Sequence, residues 1–270
     1  MTKIHTLYNL IKKRDYKTIK YLFARVPFRM RWYSPDYVTL KEWDKLLVLD
    51  ACTFNLFESR NRITGTLSKI KSPGSDTPEW LVENFKGRSL SDVVYISGNP
   101  YGSYYKFAEL LGSNPFYKVL EVWKNKWDPS LATVYPSEIN KEVIIAQKMY
   151  PTKRMIIHYM QPHFPFIGEK GLRFDGVSPQ NILANNFKEG YTVWDALLDG
   201  KIKPEEAYRA YESNFDLVLK YVLALIPRLK GKVCITSDHG NLFGKYGVFY
   251  GHPRKLYHPE LIEVPWLEVQ

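Results

Sequence analysis

The segment Val233-Cys-Ile-Thr-Ser-Asp238-His239-Gly240-Asn241 is an apolar run that ends on a carboxylate and an imidazole side by side. Oxygen and imidazole donors together suit a divalent cation once a second carboxylate joins them, with Zn, Mn or Fe favoured over Mg or Ca. Leu46-Leu-Val-Leu-Asp50 supplies that carboxylate at the end of another strand-like run. Thr77, in Ser-Pro-Gly-Ser-Asp-Thr-Pro-Glu-Trp, adds a hydroxyl that would complete the site. Open α/β sheets place their ligands at the C-terminal ends of strands, where both runs would deliver them.

Each piece also has a plainer reading. Asp-His-Gly is a common turn, in which Asp238 accepts backbone N–H groups and Gly240 supplies a positive φ. Thr77 before Pro78 reads as a helix N-cap, with Ser75 the nearest competing hydroxyl. Glu79 is either a proton carrier beside Thr77 or an acid placed to complement the helix dipole. His163 sits between prolines on a loop, which favours a site role, whereas His158 lies within an apolar strand pattern and divides between core and site. His252 follows a glycine and is preferred over His258 as the late histidine; His5 belongs to no site. Arg60, Arg62, Lys153, Arg154, Lys245 and Arg254 are candidate anion contacts, and only Lys245 and Arg254 fall between Asp238 and the end of the chain.

The elements that must position these residues follow from periodicity. From Leu46 onward apolar runs alternate with helical patterns: Leu46 to Asp50, a helix from Pro78, Val93 to Ser97, a helix near Tyr104 to Leu111, and Met155 to Tyr159. A long helix starts at Pro204, with Ala207, Tyr208, Tyr211, Phe215, Leu219 and Val222 at helical spacing, and stops near Pro227. Val233 to Thr236 and Ile262 to Val269 close the series. Such alternation is the mark of a parallel sheet with helices on both faces. Gly168 to Gln180 reads as a long surface loop that frames the cleft.

The 270 residues allow one large domain, and 45% hydrophobic residues exclude wholesale disorder. Twenty Tyr, 7 Trp and 14 Phe point to aromatic packing and an aromatic-lined cleft. Of the net charge of +10, the first 32 residues hold +8, nine Lys or Arg against Asp15, which leaves +2 for the remainder. That leader, with Ile4, Leu7, Leu10 and Ile11 on one side of a short amphipathic helix, suits an anionic membrane face. It argues against nucleic acid, because the charge is not spread over the fold. Its competing reading is a solvated basic helix. Two cysteines, Cys52 and Cys234, exclude a disulfide framework and read as buried thiols. The absence of a long apolar run or a secretory h-region leads to the expectation of a cytoplasmic protein, peripheral at the inner membrane face.

The motifs, in this order, resemble the alkaline phosphatase superfamily, and more closely its sulfatase-like branch, including archaeal members with Asp-Ala-Cys after the first strand. Leu47-Val-Leu-Asp50-Ala-Cys52 is similar to the first metal-ligand strand and Pro73-Gly-Ser-Asp-Thr77-Pro-Glu-Trp80 to the nucleophile turn. Val94-Tyr-Ile-Ser-Gly-Asn99-Pro-Tyr101 resembles a following core strand, and His158-Tyr-Met-Gln-Pro-His163-Phe-Pro165 the substrate-side histidine segment. Thr236-Ser-Asp238-His239-Gly240 is similar to the second metal strand, and Gly251-His252-Pro with Val264-Pro-Trp266 to the closing segment. Two departures stand out: Ala51 occupies a position where many sulfatases carry a second acid, and no cysteine lies in the Cys-x-Pro-Ser-Arg context that formylglycine requires.

The resemblance implies a three-layer αβα sandwich with a mostly parallel central sheet, in which residues 1–40 form a basic amphipathic leader and residues 41–270 the catalytic domain. It implies Thr77 and His163 as catalytic residues, and Asp50, Thr77, Asp238, His239 and His252 around one or two divalent ions of Zn, Mn, Mg or Ca. The expected activity is metal-dependent hydrolysis of phosphate esters, with phosphodiesters or sulfate esters as related substrates. Two alternatives are a phosphotransferase that modifies a glycan or lipid at the membrane face, and a non-catalytic binder of anionic glycans.

Overall fold

The computed structural model describes residues 16–186 and 190–270. The leader pattern of Ile4, Leu7, Leu10 and Ile11 lies outside the described residues, as does His5.

Strand β1 (Lys45–Leu49) is buried along its whole length, so it must lie inside the sheet with a layer on each face. Its side chains alternate: Leu47 and Leu49 enter one core, Leu46 and Val48 the other. The first core is completed by the helices Phe54–Arg60, Pro136–Met149 and Pro204–Leu225, and the second by Thr77–Phe85 and Tyr104–Leu111. The result is the expected three-layer sandwich.

The seven-stranded sheet has β1 at its centre, parallel to β7 (Arg154–Tyr159) on one side and β8 (Val233–Thr236) on the other. Beyond β7 lie β3 (Leu90–Ser97) and β4 (Phe116–Glu121), both parallel. Beyond β8 lie β11 (Glu263–Val269) and β2 (Gly65–Lys71), giving the order β2-β11-β8-β1-β7-β3-β4. β11 runs antiparallel to both of its neighbours. β2 was invisible to periodicity because Ile70 is its one buried residue, so it carries no apolar run. Gly65 matters there, since a Cβ would strike the Glu268 carbonyl of the paired strand.

Two small hairpins flank the sheet: β5 (Trp127–Asp128) with β6 (Thr133–Val134), and β9 (Leu242–Lys245) with β10 (Phe249–Gly251). The described part of the leader, a helix at Tyr16–Ala24 and a turn at Val26–Phe28, rests on the second hairpin and its sequel. Tyr21 meets Phe249 edge-on at 5.4 Å and Phe28 meets His258 at 4.8 Å. Cys52 and Cys234 are both buried and free. Among the described residues no helix is long and apolar enough to cross a membrane.

Candidate metal and nucleophile site

Three strand ends and one helix start converge on the site. β1 ends at Leu49, and the next residue, Asp50, is 1% exposed. β8 ends at Thr236 and delivers Asp238 and His239, both fully buried. These three offer ligand atoms that all lie within 4.8 Å of one another. Because β1 and β8 are adjacent and parallel, both turn into loops at the same edge.

The turn after β1 is shaped to this meeting. Ala51 holds a left-handed φ of 58°, which directs its N–H to Asp238 Oδ1 at 3.1 Å. Its carbonyl accepts from the buried Tyr211 hydroxyl on the long helix. Position 51 therefore meets Asp238 through its backbone N–H alone. Asn99, in the turn after β3, donates to Asp50 Oδ2 at 2.6 Å and fixes its orientation. The sequence motif places Asn99 only within a core-strand segment; its position in Ser-Gly-Asn-Pro, just past the buried strand, is the signal for its role.

Thr77 Oγ1 lies 2.7 Å from Asp238 Oδ2 and 3.4 Å from His239 Nε2. The N-cap of its helix is Asp76, whose Oδ1 accepts from Glu79 N at 2.8 Å, so the cap that Thr77 was a candidate for is filled by its neighbour. Ser75 points away from the cleft: its hydroxyl donates to Glu79 Oε2 at 3.0 Å. Glu79 thereby braces the turn from behind, where it also accepts from Ser75 N at 2.9 Å and from the Tyr257 hydroxyl.

The described histidines fall into four sets. His239 Nδ1 donates to the Gly240 carbonyl at 2.8 Å, a bond that fixes the ring with Nε2 turned toward the carboxylates. His239 Nε2 stands 3.6 Å from Asp50 Oδ1 and 3.5 Å from Asp238 Oδ2. His163 Nδ1 likewise donates to the Phe164 carbonyl, which makes its Nε2 the acceptor of a 2.8 Å bond from His252 Nε2–H. The His252 ring lies 4.4 Å from that of His239, beside the group of three rather than within it. Burial pushes the His163 imidazole down to about 4, and the neighbouring His239 adds to the shift. Burial, His239 and His163 hold His252 well below its usual range.

His158, inside β7, is fully buried and takes part in both roles considered for it. Its Nδ1 pairs with the Tyr95 hydroxyl at 2.8 Å, while Nε2 stands 3.7 Å from Asp50 and 3.8 Å from Asp238 without a hydrogen-bond partner. Burial brings it down to about 4 against the pull of Asp238. His258 is elsewhere, as the N-cap of the helix Pro259–Ile262.

The donor set fits a divalent cation. Asp50 Oδ1 is buried without a hydrogen-bond partner, and two buried carboxylates, Asp50 and Asp238, meet there beside His239 Nε2, a crowding of like charge that a cation between them would relieve. Burial and the charge of Asp238 raise the Asp50 carboxyl well above its usual range, opposed by the Asn99 bond. For Asp238, burial acts upward, but His239, His158, the Thr77 hydroxyl and the Ala51 N–H hold it below that range.

A cleft of about 680 Å³ opens over Asp50 and Thr77. Tyr101, Trp127, Met160, Phe164, Ile182 and Trp194 contribute to walls that are largely apolar, as the aromatic content led one to expect. Val177 joins them from the loop expected to frame the cleft. Of the candidate cations, Arg254 alone lines the cleft, with Nε on Asp76 Oδ2 at 2.9 Å. Lys245 pairs with Glu260 at 2.8 Å, Arg154 with Asp92 at 2.6 Å, and Arg60 with Asp216 and Glu212. Lys153 Nζ donates to the Ser91 carbonyl at 3.1 Å. Arg62 is outside the cleft.

No family model matches the sequence, and no curated protein matches it. Solved structures do. The lipooligosaccharide phosphoethanolamine transferase A of Neisseria meningitidis superposes as its soluble domain with a TM-score of 0.52 at 11% identity, over 83% of this chain and 75% of that one. As the integral membrane protein it gives 0.54 at 13% identity over 88% of this chain, which spans 49% of its length. The C-terminal periplasmic domain of EptC from Escherichia coli, in complex with Zn, gives 0.52 at 12% identity over 87% and 75%. A protein assigned as a sulfatase from Bacteroides thetaiotaomicron gives 0.50 at 12% identity over 88% and 64%. The fold is that of the sulfatase-like alkaline phosphatase superfamily. At such identities the likeness lies in the architecture, and the chemistry must be argued from this chain's own residues.

Proposed function

We propose that the protein is a metal-dependent phosphoryl-transfer enzyme with Thr77 as its nucleophile. One observation carries this reading: the Thr77 hydroxyl faces Asp238 and His239 instead of capping its helix. Asp50, Asp238 and His239 would hold the cation, with Thr77 as a further donor. Such a cation supplies Lewis-acid polarisation of a phosphoryl oxygen and a lowered pKa for the threonine hydroxyl. The Zn in the Escherichia coli neighbour makes zinc the first metal to try.

Thr77 already donates its proton toward Asp238 Oδ2, which accepts it as Oγ1 attacks phosphorus and the bond from phosphorus to the leaving oxygen breaks. The leaving oxygen takes its proton from water in the cleft, and the neutral His163–His252 pair remains as a base. The base then takes the proton of the incoming water or alcohol. Its oxygen bonds to phosphorus, and Thr77 departs and recovers its proton from Asp238. Arg254 contributes a fixed positive charge at the cleft wall.

Water as acceptor makes the protein a hydrolase and an alcohol makes it a transferase. The size and apolar walls of the cleft favour a phosphate ester with a large body, lipid- or glycan-linked, and with it transfer. The named activity of the phosphoethanolamine transferases that share the fold supports the same reading. The test is to quench a reaction with labelled aryl phosphate in acid and locate the label by mass spectrometry. Phosphothreonine at position 77 is expected. Thr77→Ala should carry no label and lose turnover by several orders of magnitude while still binding zinc. Full turnover by folded, metal-loaded Thr77→Ala, or label at Ser75, overturns the assignment.

A further inference from the structure

The leader is the one sequence feature that the catalytic reading leaves unused. Six large apolar side chains stand in solvent within its described part: Leu22, Phe23, Val26, Met30, Trp32 and Leu40. Trp32 is 78% exposed, Leu40 72%, and Phe23 and Met30 each 62%. Single exposed apolar residues are ordinary, but this concentration within 19 residues is not. Cations interleave with them, in Phe23-Ala-Arg25-Val26 and Phe28-Arg29-Met30-Arg31-Trp32, and no acid occurs from residue 16 to residue 35.

We propose that this segment is an interfacial docking surface for a membrane rich in anionic phospholipid. Large apolar side chains reach the acyl boundary while Arg25 and Arg29 stay at headgroup phosphates, and a tryptophan sits at the level between them. Leu22, Val26 and Met30 offer no stacking face to a nucleobase, which disfavours nucleic acid, and the cation count matches an anionic surface. A second copy of this chain would meet the same cations face to face.

The docking surface is tied to the site. Arg31 turns inward from it, donating to the Pro73 carbonyl at 2.6 Å and pairing with Glu83 at 3.1 Å. The Tyr33 hydroxyl donates to the Ser72 carbonyl at 2.7 Å. Both acceptors lie just before Thr77, so the segment that rests on lipid is anchored to the nucleophile turn. If the catalytic proposal holds, a lipid-linked ester would meet the cleft at the surface that carries it. The docking itself stands without that proposal.

The test uses the full chain and co-sedimentation with vesicles of phosphatidylcholine alone or mixed with phosphatidylglycerol. Binding should require phosphatidylglycerol and weaken as salt rises. The triple variant Phe23→Ser, Met30→Ser, Trp32→Ser should bind at least about tenfold more weakly, since it removes apolar area that insertion buries. Its turnover of a soluble aryl phosphate should match wild type, because these side chains touch nothing in the cleft. Should the triple variant fail to fold, brominated lipids provide a second readout: they should quench wild-type tryptophan fluorescence, and Trp32→Phe should lose part of that quenching. Equal vesicle binding by wild type and the triple variant overturns the proposal. So does binding indifferent to lipid charge, absence of quenching, or a stable dimer that the triple variant abolishes. Vesicle binding by a protein inert toward phosphate esters would sink the catalytic reading and leave the docking surface standing.

Discussion

Thr77 Oγ1 and Asp238 Oδ2 stand 2.7 Å apart although 161 residues separate them in the chain. Asp76 makes that contact available. By capping the helix Thr77–Phe85 itself, it releases the threonine hydroxyl from the helix end. Loss of the cap and loss of the hydroxyl are therefore separable, and only the second should abolish turnover. A lost cap costs on the order of 1 kcal/mol of stability.

Asn99 should set cation affinity without being a ligand. Its amide donates to Asp50 Oδ2, and Asp50 Oδ1 is then free to face His239. Asn99→Ala is expected to weaken zinc binding by roughly 10- to 100-fold, the usual cost of losing an outer-shell partner. Calorimetric titration of the chelator-stripped protein measures it, and unchanged affinity would remove Asn99 from the site.

Arg254 and Lys245 offer a paired comparison. Arg254 lines the cleft, whereas Lys245 is bound to Glu260 outside it. Arg254→Ala should raise KM for an anionic aryl phosphate by about tenfold, the order expected for a lost charge-assisted contact. Lys245→Ala should leave KM alone. Equal effects would mean that Arg254 acts through general field or through its Asp76 partner.

Acid should destabilise the metal-free protein. His158 and His163 are held at about 4 in the folded state against an ordinary value of 6.5. The unfolded chain therefore binds more protons between those values, and stability falls as pH drops through that window. The stabilisation is fully present above about 6.5 and lost by about 4, the range set by the two pKa values. Melting temperatures in chelator across pH 7 to 4 should trace this decline, and His158→Gln should flatten it. A slope unchanged in that variant would assign the acid sensitivity to other groups.

The sequence by itself determined the buried strands and what stands at their ends. β1, β7 and β8 are continuous apolar runs because both of their faces are covered, and an apolar run that stops at Asp50 or before Asp238-His239 is legible without coordinates. Pro204 marked the start of the long helix for the same local reason, a proline in the first turn. Edge elements were not legible: β2 buries only Ile70, and its place depends on pairing with β11 nearly 200 residues later. The resemblance pointed to Thr77, but only the tertiary structure shows what turns that hydroxyl, and Arg254 among the cations, toward the site. Ser75 and Thr77 are two residues apart, and Lys245 and Arg254 nine, so composition treats each pair alike. What separates them is orientation: the turn braced by Glu79 directs Ser75 inward and Thr77 toward Asp238, and Asp76 draws Arg254 to the cleft while Glu260 holds Lys245 away. Such choices rest on partners far away in the chain, which no local pattern of residues encodes.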